Sequence, residues 1–182
     1  GHVNITTGSF MLQNGGVIDS GTTNNGLGGN VTIRATGQVL LSGTMADGTP
    51  GGIFSRTVGT APDSGKGGDL ILQSPRFELT NGASVSANST GSGAAGSVTV
   101  EGANSPAQSV LIDGPGSGIF TDTQGTGAGG NIFVNANTVT LQNGGTLSAA
   151  TSGTNNGGDI QVDATTINLL TFASINTLSF LS

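Results

Sequence analysis

The sequence is unusual first in what it lacks. Its 182 residues include no cysteine, tryptophan or tyrosine, and charged residues make up only 8%. Without cysteine, a disulfide scaffold and a thiolate metal site are excluded. With four cations and a formal charge of -6, the chain has no basic patch to displace counterions from phosphates, so we expect no nucleic-acid partner. No run of about 20 apolar residues is present, so we expect no transmembrane segment.

Glycine, threonine, serine, asparagine, valine and isoleucine fill most of the chain, and glycine alone occurs 34 times. Disordered segments usually combine high charge with few β-branched residues, which is the opposite of this composition. The composition therefore favours an all-β protein built from repeats.

The repeat becomes visible when the chain is aligned on one glycine per unit. These glycines are Gly1, Gly29, Gly68, Gly96, Gly130 and Gly158, so three of the five intervals between them are identical. Each unit contains three short alternations of apolar and polar residues, and such alternation is typical of strands with one buried face. Apolar residues recur at matching places in the three alternations, exemplified in one unit by Ile132/Val134, Val139/Leu141 and Leu147.

These intervals predict a parallel β-helix of about six coils, with three short strands per coil and a 28-residue basic repeat. A single unit cannot bury its own apolar row, but stacked units can, because each strand pairs with its equivalent one coil later at about 4.8 Å. Crossover connections between parallel strands are overwhelmingly right-handed, so we expect a right-handed helix. We treat residues 1–182 as one β-helix domain, expected to be a segment of a longer repetitive protein.

Turn residues support this architecture and show where it varies. Asn14-Gly15, Asn81-Gly82 and Asn143-Gly144 follow the second alternation, and such pairs adopt positive φ readily. Extra residues fall at corners of unit two (residues 42–52 and 58–68) and unit four (residues 101–109). A β-sandwich would not require equivalent strands at one fixed interval. Insertions at corners leave the stack intact, and function on a solenoid is often found there.

The repeated blocks GG-[ND]-[ILV]-x-V, x-[ILV]-x-L-x-NG-[AG] and [ILV]-S-A resemble the β-helical repeats of filamentous-haemagglutinin-like bacterial exoproteins and adhesins. The resemblance spans the chain and is clearest at Gly67–Gly96 and Gly129–Val162. It implies export, often by two-partner secretion, and an extracellular or cell-surface location in a bacterium, with the export signal outside this chain. The N-P-N type motif of the family's secretion domain is absent, so the resemblance is to a shaft, and it transfers no functional residue.

The search for chemistry yields no catalytic residue. Acid/base catalysis in β-helical polysaccharide lyases and hydrolases needs clustered Asp, Lys, Arg or His on one outward face. The two outward columns of the first strand that carry most of the polar residues place no two carboxylates in adjacent units, and the calcium-binding β-roll pattern is absent. We therefore expect no enzyme activity, no cofactor and no metal site. A carbohydrate-active β-helix, binding or cleaving polysaccharide, stays an alternative if loops bring acids together.

The most distinctive surface feature is apolar. Alternation points Phe54 and Phe120 outward from the third strands of units two and four, and Met11, Leu40 and Leu111 outward from second strands. Two interpretations stay open. Either the inserted loops fold over these side chains, or the side chains form a strip that binds a partner or glycan, since exposed apolar patches tend to mark interfaces.

The two ends of the stack carry a separate prediction. Unit six has Phe172, Leu178, Phe180 and Leu181 where other units have corner glycine and polar loop. Residues 170–182 are expected to be either a C-terminal cap or the start of a further module. The first unit leaves its inward residues uncovered, so Gly1 is expected to follow directly on further chain or to stack on another molecule. The sequence thus favours a structural or adhesive shaft whose partners are host or matrix glycans or proteins. A filament subunit that stacks on copies of itself end to end is the alternative.

Overall fold

The structure is a computed structural model that describes residues 1–23, 25–59 and 65–179. In these ranges it consists of sixteen β-strands and contains no helix. The strands are β1 (Val3–Thr7), β2 (Phe10–Gln13), β3 (Val17–Asp19), β4 (Val31–Ala35), β5 (Gln38–Ser42), β6 (Gly52–Phe54), β7 (Leu70–Gln73), β8 (Arg76–Thr80), β9 (Ser84–Ser86), β10 (Val98–Glu101), β11 (Ala107–Asp113), β12 (Gly118–Phe120), β13 (Ile132–Gln142), β14 (Thr146–Ser148), β15 (Ile160–Leu169) and β16 (Ser174–Asn176).

All strand pairs are parallel, and each strand pairs with its equivalent in the next coil. The residues that the sequence alignment placed at equivalent positions are the residues that pair in the ladders. One inward position of the first strand, for example, pairs in the order Ile5, Ile33, Leu72, Val100, Val134 and Val162. The prediction of a parallel β-helix with about six coils is confirmed. The register is kept across the two longer units as well, because the inserts that the structure describes at residues 43–51 and 102–106 lie between the strands.

The core is a column of the predicted inward side chains. In the four central coils these residues are almost fully buried, as for Ile33, Leu79, Val85, Val100 and Leu141, each at most 1% exposed. In the first coil the equivalent residues are only partly buried, and in the sixth Ile167 and Leu169 are 45% and 50% exposed. An inward side chain is therefore covered only when a coil lies on both sides of it.

The strands form two sheets. The larger sheet contains ten strands from the first and second positions of the coils, and the third-strand sheet contains β3, β6, β9, β12, β14 and β16. All three predicted strand positions are present in every coil, but in the last two coils the first and second positions are continuous, as β13 and β15. Glycine or proline separates these two positions in coils one to four, whereas Ala136-Asn137 and Ala164-Thr165 can continue an extended chain.

The glycine that opens each coil has a steric function. A Cβ atom added to Gly96 would lie 2.1 Å from the carbonyl oxygen of Gly68 one coil earlier, and one added to Gly130 would lie 2.0 Å from that of Gly96. Gly68 and Gly158 make the same approach to the preceding coil. Because the obstructing atom is backbone, it cannot rotate away. Glycine at this position therefore allows the coils to approach to their ladder spacing.

The predicted corners adopt the left-handed conformation. Asn14, Asn81 and Asn143 have φ of 53°, 55° and 53°, and the glycine after each also has positive φ. Coil six makes the same corner with Thr171 at 46° and Phe172 at 62°. Such angles are unfavourable for residues with a bulky or β-branched side chain, so the last corner is strained relative to the other three.

A column of hydroxyl side chains follows the third strand. Thr22, Thr57, Ser89, Thr123, Thr151 and Ser179 form successive parallel bridges from coil to coil. Thr123 Oγ1 donates to Ala128 O at 2.9 Å. Thr57 Oγ1 and Ser89 Oγ, in contrast, are buried without a hydrogen-bond partner among the described residues. Unpaired buried hydroxyls cost stability.

Candidate ligand groove on the third-strand sheet

The outer face of the third-strand sheet is a grid with one row per coil. Ladder register places Gly52, Ser84 and Gly118 in one outward column of the three middle rows, and Phe54, Ser86 and Phe120 in the next. Adjacent rows are about 4.8 Å apart, so the two phenylalanines stand roughly 10 Å apart with a serine between them. The first column therefore contains only small residues, and in the second column one serine lies between two phenylalanines.

The insert of coil two borders this grid on one side. It is a short turn in which Thr44 and Pro50 form an antiparallel bridge and Met45 N donates to Thr49 O at 2.7 Å. Asp47 Oδ1 accepts a hydrogen bond from Thr49 N at 2.9 Å. The backbone and side-chain hydrogen bonds from Thr49 lower the pKa of Asp47. The insert is thus held by its own hydrogen bonds.

Coil three has only the tight Asn81-Gly82 corner at this place, and coil four again has a larger one. Ser117 Oγ fixes the coil-four corner by donating to Asp113 O at 2.7 Å and accepting from Gly82 N at 3.0 Å. The short corner between two larger ones leaves a depression over coil three. Its volume is about 460 Å³, and we refer to it as the coil-three groove. Its lining residues are Val17, Asp19, Met45, Thr49, Pro50, Phe54, Arg56, Ser84, Ser86, Asn88, Gly116 and Phe120.

The two phenylalanines of the prediction both line the groove, but they are covered to different extents. Phe54 is only 6% exposed. The guanidinium carbon of Arg56 lies 4.5 Å from the centroid of its ring, and Arg56 Nη2 also pairs with Asp19 Oδ2 at 3.3 Å. Both members of this ion pair are nearly half exposed, so the pair contributes little stability. Its effect is to place a cation against one end of the groove.

Phe120 is half-buried and forms the opposite wall. Its ring lies over Gly118, because a Cβ atom added to Gly118 would lie 2.5 Å from Phe120 Cζ. Glycine at this position lets the phenyl ring lie along its own strand. The half-buried ring is also part of the groove lining, so it can contact a ligand there.

Two serines lie in the row between the phenylalanines and form the floor. Ser84 and Ser86 are 4% and 5% exposed, and neither hydroxyl makes a hydrogen bond within the described part of the chain. Asn88 Oδ1 accepts from Asp122 N at 2.9 Å, while its Nδ2 atom has no partner among the same residues. The floor thus offers two hydroxyls and one amide group to a ligand.

The other three residues of the predicted apolar strip are not part of this groove. Met11, Leu40 and Leu111 lie on β2, β5 and β11 of the larger sheet, and Glu78 separates the two leucines in the ladder. Met11 is 57% exposed, and both leucines are half-buried. The structure therefore does not bring the five predicted residues together.

The predicted end residues that the structure describes, Phe172 and Leu178, are exposed to solvent. Phe172 is 93% exposed and Leu178 is 56% exposed. Phe172 therefore does not itself cover the inward side chains of coil six. Phe180 and Leu181 lie outside the described residues, so a cap or a further module at residues 170–182 stays a prediction.

Several Asp and Asn side chains accept backbone hydrogen bonds from the following coil. Asp69 Oδ1 accepts from Ser97 N at 2.8 Å one coil later, and Asn131 Oδ1 accepts from Asp159 N at 2.9 Å. Asp122 Oδ1 likewise accepts from Ala150 N at 2.8 Å. The described residues contain no group of three potential metal ligands and no helix able to cross a membrane.

Sequence reasoning missed Ser84, Ser86 and Arg56 as groove residues. The alternation does place all three outward, but it does not show that neighbouring corners are tall enough to enclose them. Comparison of this chain with protein-family models, with curated proteins and with solved structures found no match.

Proposed function

We propose that this chain is a rigid β-helical shaft of a secreted or surface-displayed bacterial protein, which presents its loops for adhesion or assembly. The observation that carries the proposal is the ladder register, which is unbroken across the short and the long coils alike. The added length that the structure describes lies at corners, where it leaves the column unchanged. A fold that keeps its axis constant and varies only its corners is suited to holding recognition loops at fixed positions.

The acidic side chains support a mechanical role without catalysis. Asp69 and Asp122 accept backbone hydrogen bonds from the following coil, and Asp113 accepts hydrogen bonds from Gln142 Nε2 at 3.0 Å and Asn143 Nδ2 at 2.8 Å. These carboxylates therefore join neighbouring coils. Buried backbone ladders and a continuous apolar core add to the same rigidity.

Duplication of one coil tests the shaft. A second copy of residues 130–157 inserted after residue 157 should fold cooperatively and lengthen the column by about 4.8 Å, measured by small-angle X-ray scattering. The matched control is the same copy with Asn135 deleted, because a deletion inside the continuous strand β13 prevents the apolar residues on its two sides from facing inward together. The proposal fails if both duplications are equally stable, or if the full-coil copy does not fold.

Location requires a separate experiment. An antibody raised against the insert at residues 43–51 should label intact cells that produce the protein, and external protease should remove the label. Labelling that appears only after lysis would contradict surface display. Secreted protein should be recovered from the culture medium with the same antibody.

The exposed ends of the stack favour self-assembly as a second candidate. Ile167, Leu169 and Phe172 are exposed on coil six, and the outer edges of β15 and β16, which have no strand partner among the described residues, are able to pair with another strand. Copies stacked end to end would continue the ladder. Sedimentation velocity at increasing protein concentration should then show growing species, because association follows mass action. A concentration-independent monomer would exclude this candidate.

A further inference from the structure

We propose that the coil-three groove binds a neutral saccharide, accommodating one or two sugar rings of a longer glycan. This site gives the proposed role in adhesion a ligand class. It rests on the proposed function in one respect, since the shaft holds both walls of the groove in place. The ligand class follows from three properties of the groove: hydroxyls on its floor that no described residue binds, an aromatic wall, and balanced charge.

The floor carries polar groups that lack partners. Ser84 and Ser86 are more than nine-tenths buried, and their hydroxyls make no hydrogen bond to the described residues. The fully enclosed unpaired hydroxyls of the described residues are those of Thr57 and Ser89, so the oxygens of Ser84 and Ser86 keep a surface open to the groove, where water or a ligand satisfies them. A hydroxyl can donate and accept at once. A sugar ring has several adjacent hydroxyls with this same property, so it can satisfy both serines and the Nδ2 atom of Asn88.

The walls supply the apolar complement. Phe120 presents a half-buried ring, and Phe54, Pro50 and Met45 line the opposite side. Aromatic rings stack favourably on the apolar C–H face of a ring ligand while polar groups bind its edge. The volume of about 460 Å³ lies within the range of small-molecule sites.

The charges of the lining select a neutral ligand. Among the described residues, Arg56 and Asp19 are the charged lining residues, and they pair with each other at 3.3 Å. The chain as a whole carries a formal charge of -6. An anionic polysaccharide would be repelled by this net charge and would find no unpaired cation among the described lining residues.

The backbone of the third-strand sheet argues against an extended peptide as the ligand. Peptides commonly bind by adding a strand to an open sheet edge. In β6, β9 and β12 the backbone groups are engaged in ladders to the coils on both sides. The groove therefore offers side chains and no free strand edge, which suits a ligand recognised through hydroxyl groups.

The test is isothermal titration calorimetry on the intact chain with neutral cello-, malto- and manno-oligosaccharides, and with heparin as the anionic probe. Ser84→Ala/Ser86→Ala and Phe120→Ala should each weaken binding of a neutral probe more than about tenfold. Ser174→Ala lies in the same outward column three coils away, and Met11→Ala lies on the other sheet; both controls should bind as the parent does. Thermal unfolding of each variant separates lost binding from lost folding.

The proposal is overturned if none of the neutral oligosaccharides binds, if heparin binds more tightly than all of them, or if the folded groove variants bind as tightly as the controls. Its failure is distinguishable from failure of the shaft. The duplication experiment uses no saccharide, and a chain that accepts the full-coil copy can still lack a ligand in this groove.

Discussion

Replacement of Gly96 by alanine should destabilise the column although it adds a single methyl group. The added Cβ would lie 2.1 Å from Gly68 O, 2.7 Å from Gly68 C and 2.9 Å from Gly67 C. All three are backbone atoms, at the start of the preceding coil or directly before it. Since real Cβ contacts under 3.0 Å are essentially never found, the two coils must move apart at this point.

The size of the effect follows from the hydrogen bonds at that corner. Gly96 N donates to Ala87 O at 2.8 Å, and Leu70 N donates to Ser97 O at 2.8 Å. The coils must separate by about 0.9 Å, the difference between the 3.0 Å limit and the 2.1 Å approach, which breaks or severely weakens both bonds. A buried backbone group left unpaired costs about 1–3 kcal/mol. With two such bonds affected, we expect Gly96→Ala to lower the free energy of unfolding by about 2–6 kcal/mol.

Urea unfolding followed by far-ultraviolet circular dichroism measures this change. Gly8→Ala is the matched control, because no atom lies within 4 Å of its added Cβ and its φ is not positive. That control should leave stability unchanged or raise it by about 0.4–1 kcal/mol. If Gly96→Ala loses less than about 1 kcal/mol relative to the control, within the scatter of ordinary substitutions, the steric account of the glycine column is refuted.

Four further substitutions or conditions test other parts of the structure. Leu141→Ala removes a fully buried core side chain and should cost about 2–5 kcal/mol in urea unfolding; a cost near zero would mean that this core is not closely packed. Thr57→Val removes an unpaired buried hydroxyl and should leave the free energy of unfolding unchanged or raise it by up to about 1 kcal/mol, which thermal unfolding measures. A clear loss of stability would reveal that the hydroxyl makes a hydrogen bond through water. Phe172→Gly relieves a φ of 62° at a side chain that is 93% exposed. It should raise the opening free energy of coil six, measured by hydrogen exchange, by about 0.5–1 kcal/mol; faster exchange would contradict the proposed strain. Asp47 has a lowered pKa because Thr49 donates hydrogen bonds to it, so the contribution of Asp47 to stability is present above the ordinary aspartate pKa and is lost as pH falls through the folded pKa. An NMR titration should show the pKa of Asp47 rising towards normal in Thr49→Ala, which removes the hydroxyl donor. An unchanged pKa would contradict the role of that hydroxyl.

The coil architecture could be predicted because it depends on local periodicity. Val39/Leu41 and Val110/Ile112 occupy equivalent places in their units, and the ladders pair them through Phe77/Leu79. A slip of one residue in any coil would turn its apolar row to the outside. The spacing of apolar residues therefore determines the register without knowledge of the loops.

The groove could not be predicted in the same way, because it depends on the heights of neighbouring corners. Alternation correctly puts Phe54 in an outward column, yet its exposure is only 6%. An outward side chain on a solenoid can still be buried by an insert of its own coil and by a long neighbour such as Arg56. The continuity of β13 and β15 escaped prediction for a related reason, since the polar residues between their two alternations are compatible with a turn as well as with a continued strand.

The one-dimensional stacking of the coils also has a mechanical consequence. Each coil is held by the coil on either side and by few contacts beyond them, so tension applied to the two ends of the chain should peel off the outermost coil first. A 28-residue coil pulled straight spans about 90–100 Å, while the remaining column stays folded. Under load the protein is therefore expected to lengthen in steps of one coil, with longer steps for the coils that carry inserts. Such stepwise release absorbs work without a single catastrophic failure.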